Sequence, residues 1–220
     1  MKIGLVMFYD EPIKTYGNLN AIINSIYCKK YNIDFICSHQ RQYESRYAAW
    51  ERFPLILQHL DNYDYLIWID ADAHFYLDAN NICDIIKAHE NSHIIFSKDL
   101  TALINTGFFI VKNTEYSKQF IKMWAYDEDL YKNNTIPHIW DNGVILDMFT
   151  ANTLNILNNS VIIDYGILQH FNNDELTTFS QMPYIVHYAG QPSEYRSIQA
   201  KLYCAQNDIM YMLEHYNFTL

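Results

Sequence analysis

Positive charge is scarce in this 220-residue chain: 15 lysines and arginines stand against 25 aspartates and glutamates, for a formal charge of −10, and nowhere do the basic residues cluster. Nucleic-acid binding needs concentrated positive charge to neutralise phosphates, so no nucleic-acid partner is expected. An anionic small ligand stays open only where a cation and a few local basic groups outweigh the overall field. Apolar runs are short, none approaching the ~20 residues of a membrane span, and the opening MKIGLVMFYD reads as a strand with an early aspartate rather than a signal sequence. The expectation is a soluble, cytoplasmic protein. Cysteine is sparse: Cys28, Cys37, Cys83 and Cys204 lack metal-ligand spacing and are expected to be buried reduced thiols, not a zinc site or a disulfide framework. Without an export signal, the sequons at Asn133, Asn158 and Asn217 carry little meaning. No Pro/Gly/Ser-rich or low-complexity stretch divides the chain, so one domain over residues 1–220 is expected.

Hydrophobic residues, by contrast, make up half the chain, and 16% is aromatic, with 19 tyrosines and 12 phenylalanines. That is ample for a buried core and argues against disorder. Strands are expected at Ile3 to Phe8 and Ile33 to Cys37, around a helix with Leu19, Ile22, Ile23 and Ile26 on its apolar face. A helical region at Ala48 to Leu60 leads into Tyr65 to Ile69, a continuous apolar strand that implies burial on both faces. A helix at Ala79 to His89, strands at His93 to Phe96 and Phe108 to Val111, and a helix from Glu115 to about Asp129 follow. A shorter helix starts near Asp141, with strands at Val161 to Ile163 and Tyr184 to His187 beyond it. A last helix carries Tyr195, Ile198, Leu202, Ala205, Ile209, Leu213 and Tyr216 at steps of three or four, a stripe expected to pack on its own domain, with a partner or membrane surface as the alternative. Such alternation predicts an α/β fold with a mainly parallel central sheet flanked by helices, whose ligands gather beyond the carboxyl ends of the strands.

Asp70 stands at such an end. In Tyr65-Leu-Ile-Trp-Ile-Asp70-Ala71-Asp72 an apolar strand delivers two carboxylates where the backbone leaves the sheet. Two anions this close repel and raise each other's pKa, so a cation is their natural compensation, and hard oxygen ligands suit Mn²⁺ or Mg²⁺. Pairs of Asp also arise as loop or helix-cap residues, but a Trp-Ile-Asp-Ala-Asp run is difficult to explain as a surface turn. His187 closes another apolar strand and could be a third ligand or a satisfied core histidine. Gly190 lets the backbone approach a phosphate, and Arg196 and Lys201 could neutralise diphosphate charge or simply be solvated.

Taken in order, Trp50-Glu-Arg52-Phe-Pro54, Trp68-Ile-Asp70-Ala-Asp72-Ala, Asn105-Thr106-Gly107-Phe-Phe, Trp124, Asp141-Asn142 and His187-Tyr-Ala-Gly190 resemble one enzyme family. It is the galactosyltransferase-like family of fungal mannosyl- and galactosyltransferases and plant xyloglucan xylosyltransferases. The resemblance implies a GT-A fold, a UDP-sugar or GDP-sugar donor, Mn²⁺ and retention of anomeric configuration. It implies Asp70, Asp72 and His187 as metal ligands, and Phe8, Tyr9 and Asp10 around base and ribose. Arg52, Ala71, Gly190 and Arg196 are then donor-binding residues, and Asn105, Thr106 and Gly107 line the donor-sugar pocket; read as bare sequence, that triplet is a β-turn before a strand. Residues 1–112 form mainly the nucleotide half and residues 113–220 mainly the acceptor half. Three departures stand out: Arg52 where the family commonly has Lys, Asn142 where it usually has Gln, and Gln191-Pro192-Ser193 in place of the cysteines that often follow. Arg can still pair with phosphate, in a different geometry.

The reaction expected is transfer of a hexose or pentose to a hydroxyl of a glycan, a lipid-linked sugar or a protein. For retention, Asp141 and Asn142 are the candidate catalytic pair beneath the reacting sugar, although Asp141 could equally cap the helix that follows. For inversion a carboxylate must deprotonate the acceptor, with Asp141 or Asp164 as candidates. Two other classes compete: a sugar-nucleotide or glycan-binding module without turnover, and a D-x-D phosphatase of the haloacid dehalogenase type. In the latter the motif normally closes the first strand, whereas Asp70 follows at least two.

Overall fold

The computed structural model describes residues 1–43, 46–132, 141–171, 179–209 and 211. Asn133, Leu213, Tyr216 and Asn217, singled out above, lie outside them. Strand β1 (Ile3–Phe8) leads into α1 (Lys14–Tyr31) and β2 (Asp34–Ser38). The expected helix at Ala48 to Leu60 is α2 (Arg52–His59) with a 3-10 turn at either end, followed by β3 (Tyr65–Ile69). Next come β4 (Ala73–Phe75), α3 (Cys83–Ala88), β5 (Ile94–Ser97) and β6 (Asn105–Lys112). The helix expected from Glu115 to Asp129 is two, α4 (Glu115–Tyr126) and α5 (Glu128–Lys132), and α6 (Asp141–Thr150), α7 (Ile156–Asn159) and β7 (Ser160–Ile163) continue the chain. Strands β8 (Gln169–Phe171) and β9 (Ile185–His187) and helix α8 (Ser193–Gln206) follow among the described residues.

Six strands form the central sheet in the order β2-β1-β3-β6-β5-β7. All run parallel except β6, which is antiparallel to both neighbours. Side chains alternate across the pleat, so a strand covered on both sides must be apolar at every position. In β3, Tyr65, Ile67 and Ile69 enter the core shared with α1, while Leu66 and Trp68 enter the core shared with α2, α4 and α6. Each fully buried Leu, Ile or Phe contributes about 1.5–3 kcal/mol.

Helix α1 lies between the sheet and α8 and carries two stripes: the expected one, with Ile23 buried and Leu19, Ile22 and Ile26 partly buried, packs with Cys204 and Ile209, and a second, unexpected one buries Tyr16, Asn20, Asn24 and Tyr27. Helix α8 does pack on its own domain through Ala200 and Cys204, but Ile198 and Leu202 of the expected stripe stay exposed. Among the described residues no helix is long and apolar enough to cross a membrane, and all four cysteines are free.

Strands β4 and β8 were not among the expected elements. After Asp72 the chain re-enters as β4, pairs antiparallel with β9, and β8 adds parallel on the far side of β9. His74, buried in this second sheet with Nδ1 3.0 Å from Phe75 O and Nε2 3.2 Å from the Tyr188 hydroxyl, is pushed down by burial to a pKa of about 4. Unfolded, it takes up a proton near its ordinary 6.5, so its contribution to stability is intact above that pH and is lost as pH falls towards 4. Between pH 7 and pH 4 the wild type is therefore expected to lose roughly 3 kcal/mol more urea stability than His74→Gln; equal losses would assign the acid sensitivity to other groups.

Candidate functional site

The turn after β3 is held from three sides. Asp70 N donates to Gly107 O at 2.8 Å, Ala73 N to Asp70 O at 3.0 Å, and Tyr188 N to Asp72 O at 2.9 Å. Behind it, buried amides of α1 take up carbonyls that no strand partner satisfies: Asn20 Nδ2 donates to Ala71 O at 2.8 Å and Asn24 Nδ2 to Ala73 O at 3.2 Å. Because β9 pairs with β4 in the register Ala73 opposite His187, the imidazole arrives beside Asp72. Gly107 makes room for it, since a methyl group there would overlap the ring.

One ligand atom from each of Asp70, Asp72 and His187 lies within 4.8 Å of the others, so this group could hold a metal ion. Two carboxylate oxygens and one imidazole nitrogen suit a hard or borderline divalent cation, and Asp70 and Asp72 both line the open cleft beside them. The structure balances the two anions with protein cations. Asp72 Oδ1 is 3.2 Å from His187 Nε2 and Oδ2 is 2.9 Å from Arg196 Nη2. Burial opposes the Asp72 carboxylate, yet His187 and Arg196 hold it below the usual carboxylate range. Burial likewise opposes the His187 imidazolium, and the charges of Asp72 and Asp70 overcome it to raise its pKa. Arg196 is itself fixed by Tyr188 O at 3.1 Å and the Tyr16 hydroxyl at 3.0 Å.

Arg52 is the second balancing charge, and it is buried. Its Nη2 donates to Asp70 Oδ1 at 3.0 Å, Nη1 lies 3.0 Å from Asp141 Oδ2, and further N–H groups reach Ala49 O and Thr106 O. Trp68 Nε1 donates to the same Asp70 oxygen at 2.7 Å. The guanidinium therefore spans two carboxylates instead of being turned wholly outward to a phosphate. Burial raises the Asp141 carboxyl above its usual range against the pull of Arg52. Helix α6 starts where Trp124 Nε1 donates to Asp141 O at 2.9 Å, and Asn142 Oδ1 accepts from Thr106 N at 3.1 Å.

A cleft of about 500 Å³ opens over these groups. Phe8, Arg52, Asp70, Ala71, Asp72, Asn105, Thr106, Gly107, Asp141, Asn142, His187, Gly190 and Arg196 all line it. Asn105-Thr106-Gly107 is the start of β6, not a turn before it, and Gly190 has a φ of +71°, which favours glycine. Tyr9 and Asp10 line a neighbouring pocket of about 320 Å³ with Lys14, Asn18 and His39, and the Tyr9 hydroxyl donates to Asn18 Oδ1 at 2.6 Å. Lys201 is exposed and outside the cleft lining, as is Asp164, which pairs with Lys98 at 3.3 Å. Sequence reasoning missed Tyr16, which lines the cleft, and Asn20, Asn24 and Gln169 behind it. Asn20 and Asn24 carried a signal, two amides four apart on a helix face between Tyr16 and Tyr27.

The family described as "Protein of unknown function, DUF273" matches residues 24–199. Xyloglucan 6-xylosyltransferase 4 of Arabidopsis thaliana is 26% identical over 130 residues, covering 53% of this chain and 25% of that relative. The chain thus spans about a quarter of the length of the curated relatives it matches. A glycosyltransferase involved in glycosylation of the major capsid of PBCV-1 superposes with a TM-score of 0.76 at 14% identity, over 92% of this chain and 100% of that one. The galactosyltransferase LgtC, solved with donor and acceptor sugar analogues, gives a TM-score of 0.55 at 11% identity, over 90% and 95%. At these identities the likeness shows the fold, and that fold is GT-A.

Proposed function

The chain belongs to the family described as protein of unknown function DUF273, and we propose that it is a metal-dependent glycosyltransferase moving a hexose or pentose from a nucleotide-diphosphate sugar to a hydroxyl acceptor. The observation that carries this is the Asp70, Asp72 and His187 group, with ligand atoms within 4.8 Å, beside a cleft of about 500 Å³ on a GT-A fold. A UDP-sugar is favoured over a GDP-sugar on the resemblance to xylosyl- and galactosyltransferases. Mn²⁺ or Mg²⁺ held by the three residues would neutralise the donor diphosphate and stabilise the charge that grows on it as the sugar departs.

The chain's own groups then bind and position. Arg196, already against Asp72, adds positive charge on the phosphate side, and Gly190 leaves its backbone open to a close approach. Asn105, Thr106 and Gly107 face the donor sugar from β6, while Phe8 lies at the nucleotide end; Tyr9 and Asp10 meet base or ribose only if the donor extends into the neighbouring pocket. Residues 1–112 serve mainly the nucleotide and residues 113–220 mainly the acceptor, with His187 and Arg196 reaching back. Among the described residues, each carboxylate lining the cleft is already engaged: Asp70 and Asp141 by Arg52, Asp72 by Arg196 and His187. That favours retention. The acceptor hydroxyl attacks the anomeric carbon on the leaving-group face, the bond to phosphate breaks, and a donor phosphate oxygen takes the hydroxyl proton. Asp141 acts beneath the sugar through Arg52, and Asn142 through Thr106. The acceptor is a glycan, a lipid-linked sugar or a protein side chain, and the free cysteines fit a reducing, cytoplasmic setting.

A thermal-shift series of UDP- and GDP-sugars with and without Mn²⁺ tests the reading. A true donor at a hundredfold its Kd stabilises by about 2.7 kcal/mol, which raises Tm by roughly 5–10 °C and does so only with metal. Transfer followed by NMR of the first-formed anomer separates an enzyme from a binding module. Indifference of Tm to every nucleotide in both conditions would sink the proposal.

A further inference from the structure

Tyr16 brings the first turn of α1 to the cleft. Tyr9 holds that turn in place: its hydroxyl donates to Asn18 Oδ1 at 2.6 Å, and its ring lies so close that a methyl group on Gly17 would overlap it. From there the Tyr16 hydroxyl accepts from Arg196 Nη1 at 3.0 Å, and the guanidinium carbon lies 5.4 Å from the centre of the Tyr16 ring. Arg196 in turn stands 2.9 Å from Asp72. The phenol is therefore joined through Arg196 to the group proposed to hold the cation, at the part of the cleft where a donor diphosphate would lie.

A phenol has one hydrogen to donate and two lone pairs to accept with. An arginine N–H can only donate, so the contact with Arg196 uses a lone pair and leaves the hydrogen uncommitted. Among the described residues the Tyr16 hydroxyl donates to nothing, although the residue is only 2% exposed. What remains for that hydrogen is whatever occupies the cleft. Holding Arg196 does not account for the hydroxyl: Tyr188 O at 3.1 Å and Asp72 already fix the guanidinium, and a phenylalanine ring would keep the stacking. Burial and the charges of Asp72 and Asp70 raise the Tyr16 pKa against the pull of Arg196, so the hydrogen stays in place. An ionised diphosphate offers only acceptors, and a neutral donor beside an arginine complements it.

We propose that Tyr16 binds the nucleotide-sugar donor, its hydroxyl donating to a diphosphate oxygen while accepting from Arg196. The inference deepens the nucleotide-sugar reading above and rests on it. Tyr16→Phe removes the hydroxyl and keeps the ring. Calorimetric titration with UDP, and in parallel with GDP, in the presence of Mn²⁺ is expected to show roughly 10- to 100-fold weaker binding of whichever nucleotide the wild type takes, the scale of one hydrogen bond to a charged group. Mn²⁺ alone, followed by the EPR signal of the free ion, is expected to bind both proteins alike, because the phenol supplies no metal ligand. The same substitution in an Arg196→Met background separates contact from bracing. A direct contact costs several-fold in nucleotide affinity there too, whereas a phenol that only braces Arg196 costs nothing once Arg196 is gone. Wild-type nucleotide affinity in Tyr16→Phe overturns the inference and leaves the nucleotide-sugar reading standing. So does an effect that vanishes in the Arg196→Met background, or one matched by an equal loss of Mn²⁺ affinity. A wild type that binds neither nucleotide with Mn²⁺ overturns that reading, and this inference with it.

Discussion

Asp72→Asn is expected to lower sugar transfer by about 10³-fold or more while the chain still folds. The carboxylate is in contact with both His187 and Arg196, at 3.2 and 2.9 Å, and on the proposed mechanism it would also hold the cation that stabilises the departing diphosphate. Loss of a ligand charge at that point removes several kcal/mol of transition-state stabilisation, and each 1.36 kcal/mol is tenfold in rate. Asparagine keeps the shape and one oxygen, so the effect reports charge. The fold should lose less: without the carboxylate, Arg196 loses its partner and the raised pKa of His187 loses the larger of its two causes, with Asp70 remaining, and about 1–3 kcal/mol is the scale of such a lost partner. Turnover of donor in the presence of Mn²⁺, set beside a urea melt of the same preparation, measures both. A variant turning over at the wild-type rate would remove Asp72 from the mechanism.

The carboxylate pair was readable from sequence because strand burial and strand end coincide there. Five apolar residues in a row can only be covered on both faces, so the chain must expose its first charge, Asp70, where the sheet stops. His187 was readable for the same reason, as the polar end of an apolar run. What joins them was not: β4 and β9 are three residues each, too short for periodicity to show, and their pairing is a long-range contact. The reversal of β6 was equally silent, since a strand buried on both faces looks alike in either direction. Arg52 illustrates a further limit. Sequence identifies a group able to bind an anion, but whether it faces ligand or protein depends on where its neighbours' charges fall. Arg52 was placed on the donor phosphate by resemblance; folding gave it two carboxylates first.

Those two carboxylates make Arg52→Met the substitution with the largest expected cost to the fold, about 3–5 kcal/mol, the scale for stranding a buried charge. Methionine fills much of the volume but leaves Asp141, 2% exposed, without a counter-ion, and frees the Thr106 and Ala49 carbonyls from their donors. Arg52→Lys keeps the charge yet cannot fork between Asp70 and Asp141, so it should fall between wild type and Met. The pH dependence has a definite sign. Burial already raises the Asp141 pKa against the pull of Arg52; without that pull it rises further. The folded variant then holds a proton that the unfolded chain releases, so stability falls as pH rises, and the deficit of Arg52→Met against wild type should be smaller at pH 5 than at pH 8. Asp141→Asn removes the stranded charge, so the double variant is expected to be more stable than Arg52→Met alone. Urea melts of the wild type, both single variants and the double variant give the coupling energy directly. Strict additivity, with a deficit flat in pH, would mean that Arg52 and Asp141 do not meet in the folded protein, and the route by which Asp141 is proposed to act on the sugar would go with it.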